Sequence, residues 1–204
     1  TGIRFGPEGA LYASDWIFGW DTKNYGRIWK IDVEDKENDL KAEREQTKIY
    51  IQQDYSKQSL TQLYDLLFYA DQRVRLKAQF ELAERKASEI FVKAVQQKEN
   101  QLARVHGIWG LGQIKAASAI QPLLTDSDEE IVAQSAKVLG DLLDASAAEK
   151  LLPLVPSSNP RVSFFASQAL GRIQSEKAIP ALLKQIETNA DKDLYIRHAA
   201  VLAL

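Results

Sequence analysis

The sequence predicts a mainly α-helical protein, a solenoid of about five stacked helical hairpins preceded by a short β segment. Residues 59–204 repeat one pattern about every thirty residues, as repeat architectures do. Apolar residues in each repeat recur at helical spacing, whereas residues 1–33 combine glycines with alternating apolar residues. A single hairpin cannot bury its own apolar face, so we expect the repeats to share one continuous core.

Five helix starts define the repeats, each an Asp or Asn whose side chain accepts hydrogen bonds from free N–H groups at a helix start. They are Asp71, Asn100, Asp128, Asn159 and Asp193, at spacings of 29, 28, 31 and 34 residues. Three residues later comes an apolar or small residue, and seven residues later a small one. Eleven residues later comes a leucine: Leu82, Leu111, Leu139, Leu170 and Leu204. Offsets of three, seven and eleven share one helical face, which we expect to be buried.

Each repeat also contains an earlier apolar helix. These first helices are predicted over 63–67, 90–95, 120–124, 151–155 and 179–186. The residue after the repeated leucine is where we expect the second helix to end; it is Ala83, Gly112, Gly140 or Gly171. The longer spacings of the last two repeats predict insertions at 157–158 and 188–192, in the connection before the second helix.

The first 58 residues differ from the repeats. Residues 10–16 and 26–31 read as strands joined by a loop. Two strands do not form a stable sheet alone, so we expect further strands upstream. The predicted domains are 1–33, the last strands of a truncated sheet; 34–58, a charged linker with a helix over about 43–53; and 59–204, a repeat array truncated at its C-terminus. We therefore expect the chain to be part of a longer protein.

Composition excludes several functional classes. The formal net charge is −2, which offers no general attraction to nucleic acid or to anionic membranes. No apolar run approaches the ~20 residues that span a bilayer. The chain has no cysteine, which rules out disulfides, thiolate metal sites and thiol catalysis within it. No catalytic triad, phosphate-binding loop or paired carboxylates stand out, so we expect this chain alone to be non-catalytic, with no cofactor and no metal site.

The repeats resemble HEAT-like repeats in their short bacterial form. Three pairs resemble the polar ladder of that family: Asp71 with Arg75, Asn100 with Arg104, and Asp193 with Arg197. Repeats three and four depart from this pattern because Val132 and Ser163 stand where arginine is expected. The resemblance therefore implies a ladder that is interrupted in the middle of the array.

The N-terminal strands resemble the closing blade of a β-propeller of the quinone-dependent sugar dehydrogenase type, through residues 5–16 and 26–31. Together with residues 73–85, 103–113 and 191–200, they resemble the membrane-bound dehydrogenase-like proteins of planctomycetes, verrucomicrobia and relatives. That family orders a propeller, HEAT-like repeats and a c-type cytochrome domain with a CxxCH haem motif. The resemblance implies a periplasmic or otherwise extracytoplasmic parent protein that holds c-type haem or quinone, and no residue here matches the haem motif.

Two functions follow from these features. The first is a non-catalytic scaffold that contacts protein, either its own propeller and cytochrome-like domains or another protein. The alternative is a part of the catalytic unit of a quinone-dependent sugar or alcohol dehydrogenase-like oxidoreductase whose active site lies outside this chain. A third role, a lyase or tetrapyrrole-attachment enzyme, is favoured by the repeat alone, and the propeller-like end argues against it.

Two groups of residues are candidates for binding. The candidate propeller pocket consists of Asp15, Trp16, Asp21 and Arg27. Asp15, Asp21 and Asn24 offer oxygen ligands for Ca²⁺, but a strand-end turn and an Arg–Asp pair beside a buried Trp explain them more simply.

The candidate partner surface consists of His106, Trp109, Phe165 and His198 on the second helices. The two histidines lack carboxylates at metal-binding spacing, so packing explains them better than a metal site. Aromatic residues at helical spacing, here also Phe80 and Phe164, are more often core than binding surface.

Overall fold

A computed structural model describes residues 2–16, 26–34 and 39–204. The chain begins with an antiparallel sheet of strands β1 (Ile3–Phe5), β2 (Leu11–Trp16) and β3 (Gly26–Ile31), in that order. The two predicted strands correspond to β2 and β3. Strand β1 was not predicted, because three residues are too few to show alternation; it pairs with β2 through Ile3 opposite Ala13.

Helices follow the sheet. Helix α1 (Lys41–Gln52) precedes five hairpins within residues 59–204. The first helices of the hairpins are α2 (Leu60–Leu66), α4 (Ser88–Gln96), α6 (Ala117–Ile120), α8 (Ala148–Leu151) and α10 (Ile179–Asn189). The second helices are α3 (Gln72–Glu84), α5 (Gln101–Gln113), α7 (Glu129–Asp141), α9 (Pro160–Ile173) and α11 (Leu194–Ala203). Consecutive second helices pack against each other, so the hairpins stack as the repeat predicts.

The predicted helix starts are confirmed. Asp71, Asn100, Asp128, Asn159 and Asp193 each accept a backbone N–H of the first turn of their helix. Ser59 begins α2 in a reciprocal capping box with Gln62. These bonds satisfy donors that a helix cannot satisfy within itself, which is why a short polar residue stands at each start.

The predicted helix ends are wrong for the three glycines. Gly112, Gly140 and Gly171 lie inside α5, α7 and α9. The three helices end beyond them, and each is followed by a non-glycine residue with positive φ: Lys115, Leu143 and Gln174. The glycines instead allow close helix contact, since a Cβ on Gly140 would lie 2.6 Å from the Cα of Ala169 in the next second helix.

The first helices of repeats three and four begin earlier than predicted, and the predicted ranges 120–124 and 151–155 lie mostly in 3₁₀ segments. After one turn, α6 and α8 continue as 3₁₀ segments over Gln121–Thr125 and Leu152–Leu154. Pro122 and Pro153 explain this change, because proline lacks the N–H that an α-helix would need there. In the last repeat, part of the predicted insertion at 188–192 belongs to α10, which runs to Asn189.

One hydrophobic core runs through the array. The leucine at offset eleven is fully buried in the first four repeats, whereas Leu204 in the last is 53% exposed. Helix α1 joins the same core through half-buried Tyr50 and Ile51. Arg73 connects the array to the sheet, since its Nη1 donates to the Gly6 carbonyl at 2.8 Å.

Candidate interaction surface

Side chains of the second helices form a line of hydrogen bonds across the repeats, which we call the second-helix face. His106 Nδ1 lies 2.7 Å from Gln79 Oε1, and Gln79 Nε2 donates to Gln113 Oε1 at 2.8 Å. Trp109 Nε1 donates to Gln134 Oε1 at 2.9 Å in the following repeat. These bonds tie α3 to α5 and α5 to α7.

The line continues into the fourth repeat. Gln134 Nε2 donates to Glu130 Oε1 at 2.7 Å, and Arg161 Nε donates to Glu130 Oε2 at 2.6 Å. The Arg161 guanidinium lies over the ring of Phe165, 5.1 Å from its centroid. Four consecutive second helices thus present a pre-arranged set of amides, charges and aromatic rings.

His106 does not lie on the surface, contrary to its place among the candidate partner residues. Its side chain is 2% exposed, and its ring packs edge-on against Trp109. Burial, and then the positive charge of Arg75, lower the pKa of His106 from 6.5 to about 4. A neutral, packed histidine results, as the packing interpretation of the sequence expected.

The other predicted surface residues differ in exposure. Trp109 and Phe165 are half-buried, and His198 is exposed on α11. Phe164 and Phe165 are both half-buried, with ring centroids 5.2 Å apart. The structure therefore brings Trp109 and Phe165 onto the second-helix face and leaves His198 apart, at the far end of the array.

A cleft of about 440 Å³ opens on this face between α3, α5 and α7. Its apolar walls are Leu76, Phe80, Trp109, Val138 and Leu142. Phe80 is 52% exposed, so the expectation that it belongs to the core is wrong. An aromatic residue held half-exposed beside amide groups is typical of a binding pocket. Offset nine lies about 160° around the helix from the centre of the buried face, so the exposure of Phe80 agrees with its helical spacing.

The arginines of the predicted ladder do not pair with the helix caps of their own repeats. Arg75 Nη1 donates to the carbonyls of Tyr69 and Ala70, and Arg104 Nε donates to the carbonyl of Val95. Arg75 therefore binds carbonyls in the connection between α2 and α3, and Arg104 binds a carbonyl in the last turn of α4. Arg197 instead pairs with Asp191 at 2.9 Å.

Ser163 replaces the arginine in repeat four. Its Oγ donates to the Val155 carbonyl at 2.6 Å, and Gln185 Nε2 reaches the same carbonyl at 3.1 Å. Gln185 also donates to Ser163 Oγ at 2.7 Å. In repeat four, the buried hydroxyl of Ser163 and the buried amide of Gln185 therefore take the place of the ladder arginine. The spacing of the arginines did not predict this pairing.

The candidate propeller pocket is only partly described. Asp15 and Arg27 are register partners on β2 and β3, and Asp15 Oδ1 accepts the backbone N–H of Trp16 at 2.8 Å. Trp16 is exposed rather than buried. Asp21 and Asn24 lie outside the described residues.

No cluster of three or more His, Cys, Asp or Glu side chains suited to a metal ion occurs in residues 2–16, 26–34 and 39–204. Over the same residues, no helix is both long and apolar enough to cross a bilayer.

Comparison with known proteins supports the fold. The family described as HEAT repeats matches residues 118–204. The complex of CpcE and CpcF of phycocyanin lyase from Nostoc sp. is 20% identical with a TM-score of 0.56, over 72% of this chain and 64% of that one. An engineered protein is 22% identical with a TM-score of 0.52, over 72% of this chain and 79% of that one.

A second engineered protein is 20% identical with a TM-score of 0.50, over 71% of this chain and 77% of that one. No curated protein matches the chain. Identities this low show a shared fold and no more. The chain is thus a HEAT-like α-solenoid preceded by a short three-stranded antiparallel sheet.

Proposed function

We propose that the chain is a non-catalytic scaffold that binds another protein, or another domain of its own protein, on the second-helix face. The observation that carries the proposal is the cleft between Phe80 and Trp109, set in a line of hydrogen bonds that spans four repeats. Extended solenoid surfaces suit protein recognition because each repeat adds contacts in the same register.

The chemistry of the cleft favours an apolar side chain presented by a peptide. Its walls are apolar and aromatic, and the amide groups of Gln79 and Gln113 also line it. Lys137 and Asp141 form an ion pair at its rim, at 2.7 Å. Aromatic side chains surrounded by polar groups commonly dominate the affinity of protein interfaces.

Selection of displayed random peptides tests this proposal. Peptides would be selected on the wild type and counter-selected on Phe80→Asp, with Leu183→Asp as the control because Leu183 is exposed on a first helix. Enriched peptides should bind Phe80→Asp at least about tenfold more weakly than wild type and Leu183→Asp equally well. Binders that tolerate Phe80→Asp would refute the assignment of this face.

A second candidate concerns the parent protein. We infer that the sheet is the end of a larger, propeller-like sheet, because Ile3 and Phe5 on β1 and Ile28 and Ile31 on β3 are exposed. Under this hypothesis the array holds dehydrogenase-like and haem domains together in an extracytoplasmic protein. The resemblance of the sequence to the dehydrogenase-like proteins supports this proposal.

A reduced-minus-oxidised absorbance spectrum of the full-length protein tests this second candidate. A c-type haem spectrum is expected. Its absence would contradict the electron-transfer context and would leave the scaffold role of the second-helix face intact, since that role depends only on the array.

A further inference from the structure

Two arginines occupy the same place in consecutive repeats and have different partners. Arg75 and Arg104 each stand four residues after a helix cap, and they are 6% and 3% exposed. Burying a guanidinium is costly unless its charge and its N–H groups find partners. The two sites therefore differ in how well the charge and the N–H groups of the buried guanidinium are paired.

The Arg104 site contains a carboxylate. Arg104 Nη1 and Nη2 lie 3.2 Å and 2.5 Å from the two carboxylate oxygens of Asp126, and Lys98 Nζ lies 2.8 Å from the same group. These partners, Arg104 first, hold the pKa of Asp126 well below its usual range. The Asp126 carboxylate thus binds the Arg104 guanidinium in a bidentate ion pair, which is a strong and specific geometry for these two groups.

The Arg75 site has no such partner among the described residues. Arg75 Nη1 binds the carbonyls of Tyr69 and Ala70, and its Nε is buried without a hydrogen-bond partner. The nearby Asp71 carboxylate is held by Arg73, with Nε and Nη2 contacts of 3.0 and 2.8 Å. Burial accordingly lowers the pKa of the Arg75 guanidinium.

The sequence explains the difference. Asp126 stands two residues before the cap of the repeat that follows Arg104. The corresponding position for Arg75 holds Lys98, whose side chain points instead to Asp126. The arginine of the Arg104–Asp126 ion pair therefore has a counterpart in Arg75. The aspartate of that pair has none, because Lys98 stands at the corresponding position.

We propose that the site beside Arg75 binds a carboxylate from outside the described chain, in the position that Asp126 takes beside Arg104. The ligand class is a carboxylate, whether on an acidic side chain of a bound protein or on a small free acid. The neighbouring repeat shows the chemistry directly, because the same arginine in the same register is satisfied by that group. The proposal is independent of the aromatic cleft.

The test compares acetate with chloride at constant ionic strength. The Arg75 Nε–H signal in ¹H–¹⁵N spectra should shift with acetate and saturate, while the Arg104 Nε–H signal should not move. The melting temperature should rise in acetate relative to chloride, since ligand binding to the folded state stabilises it. An Arg75 signal that responds equally to both salts would overturn the proposal.

Variants sharpen the test. Lys98→Asp supplies an internal carboxylate, so it should abolish the response of the Arg75 signal to acetate. Lys192→Asp makes the same charge change at an exposed turn and should keep that response. An acetate response in Lys98→Asp equal to that of the wild type would also refute the site.

The source of the carboxylate is distinguished with a short aspartate-containing peptide. Tighter binding of the peptide than of acetate would assign the site to an acidic segment of a bound protein. Equal binding would assign it to small free carboxylates. Either result supports a carboxylate site, whereas failure of both probes to move the Arg75 signal would contradict it.

Discussion

The repeat array buries its large apolar side chains, whereas the N-terminal sheet exposes them to solvent. The array buries its repeated leucines completely from Leu82 to Leu170, because each repeat is covered by the next. The sheet exposes large apolar residues such as Phe5 and Ile28, because three strands have no second layer. The array therefore contains its own stabilising contacts, whereas the sheet requires cover that the described residues do not supply.

The largest expected effect comes from Leu139→Ala in the array. Leu139 is fully buried, so removing its side chain should lower the free energy of unfolding by roughly 2–5 kcal/mol. Urea denaturation measures the change. Leu183→Ala, on the exposed side of α10, is the control and should cost about 0.5 kcal/mol or less. A loss of less than about 0.5 kcal/mol for Leu139→Ala would contradict the assignment of Leu139 as a core residue of the third repeat.

A pH dependence should follow from His106. Its pKa is about 4 in the folded state and near 6.5 when unfolded, so the unfolded chain binds the proton first as the pH falls. Stability should therefore be full above pH 6.5 and decline toward pH 4 by roughly 2–3 kcal/mol. Denaturation at several pH values measures this slope. His106→Gln should remove this decline.

Gly140→Ala tests the close contact between second helices. Alanine favours a helix over glycine by about 1 kcal/mol, but its Cβ would meet the backbone of Ala169. Overpacking should dominate, with a net loss of about 1–3 kcal/mol in denaturation experiments. Gly112→Ala is the matched comparison, since its nearest neighbour is a methyl group of Val138, and should cost less. Equal costs would contradict the backbone contact.

The smallest effect is expected from deletion of residues 1–33. Arg73 and Arg44 donate to carbonyls of Gly6 and Glu8, both at 2.8 Å, and such bonds contribute about 1 kcal/mol each. The helical circular dichroism signal should stay unchanged, and the unfolding midpoint should move little. Collapse of the helical signal would show that the sheet is part of the core of the array.

The repeat order, the helix starts and the buried leucine face were predictable from the sequence. Caps such as Asn159 act on N–H groups within their own first turn, and the leucine at offset eleven recurs at helical spacing. Both signals lie within one repeat, and therefore they can be read without knowing how the repeats meet.

The remaining features depend on the neighbouring repeat and were decided only by the tertiary structure. Gly140 suggests a helix end in the sequence, but it is a contact point because Ala169 packs against it. His106 is buried, and Arg75 lacks the carboxylate that Arg104 has. A periodic pattern specifies which face of a helix is buried. The side chain that meets each position is set by the stacking of one repeat on the next.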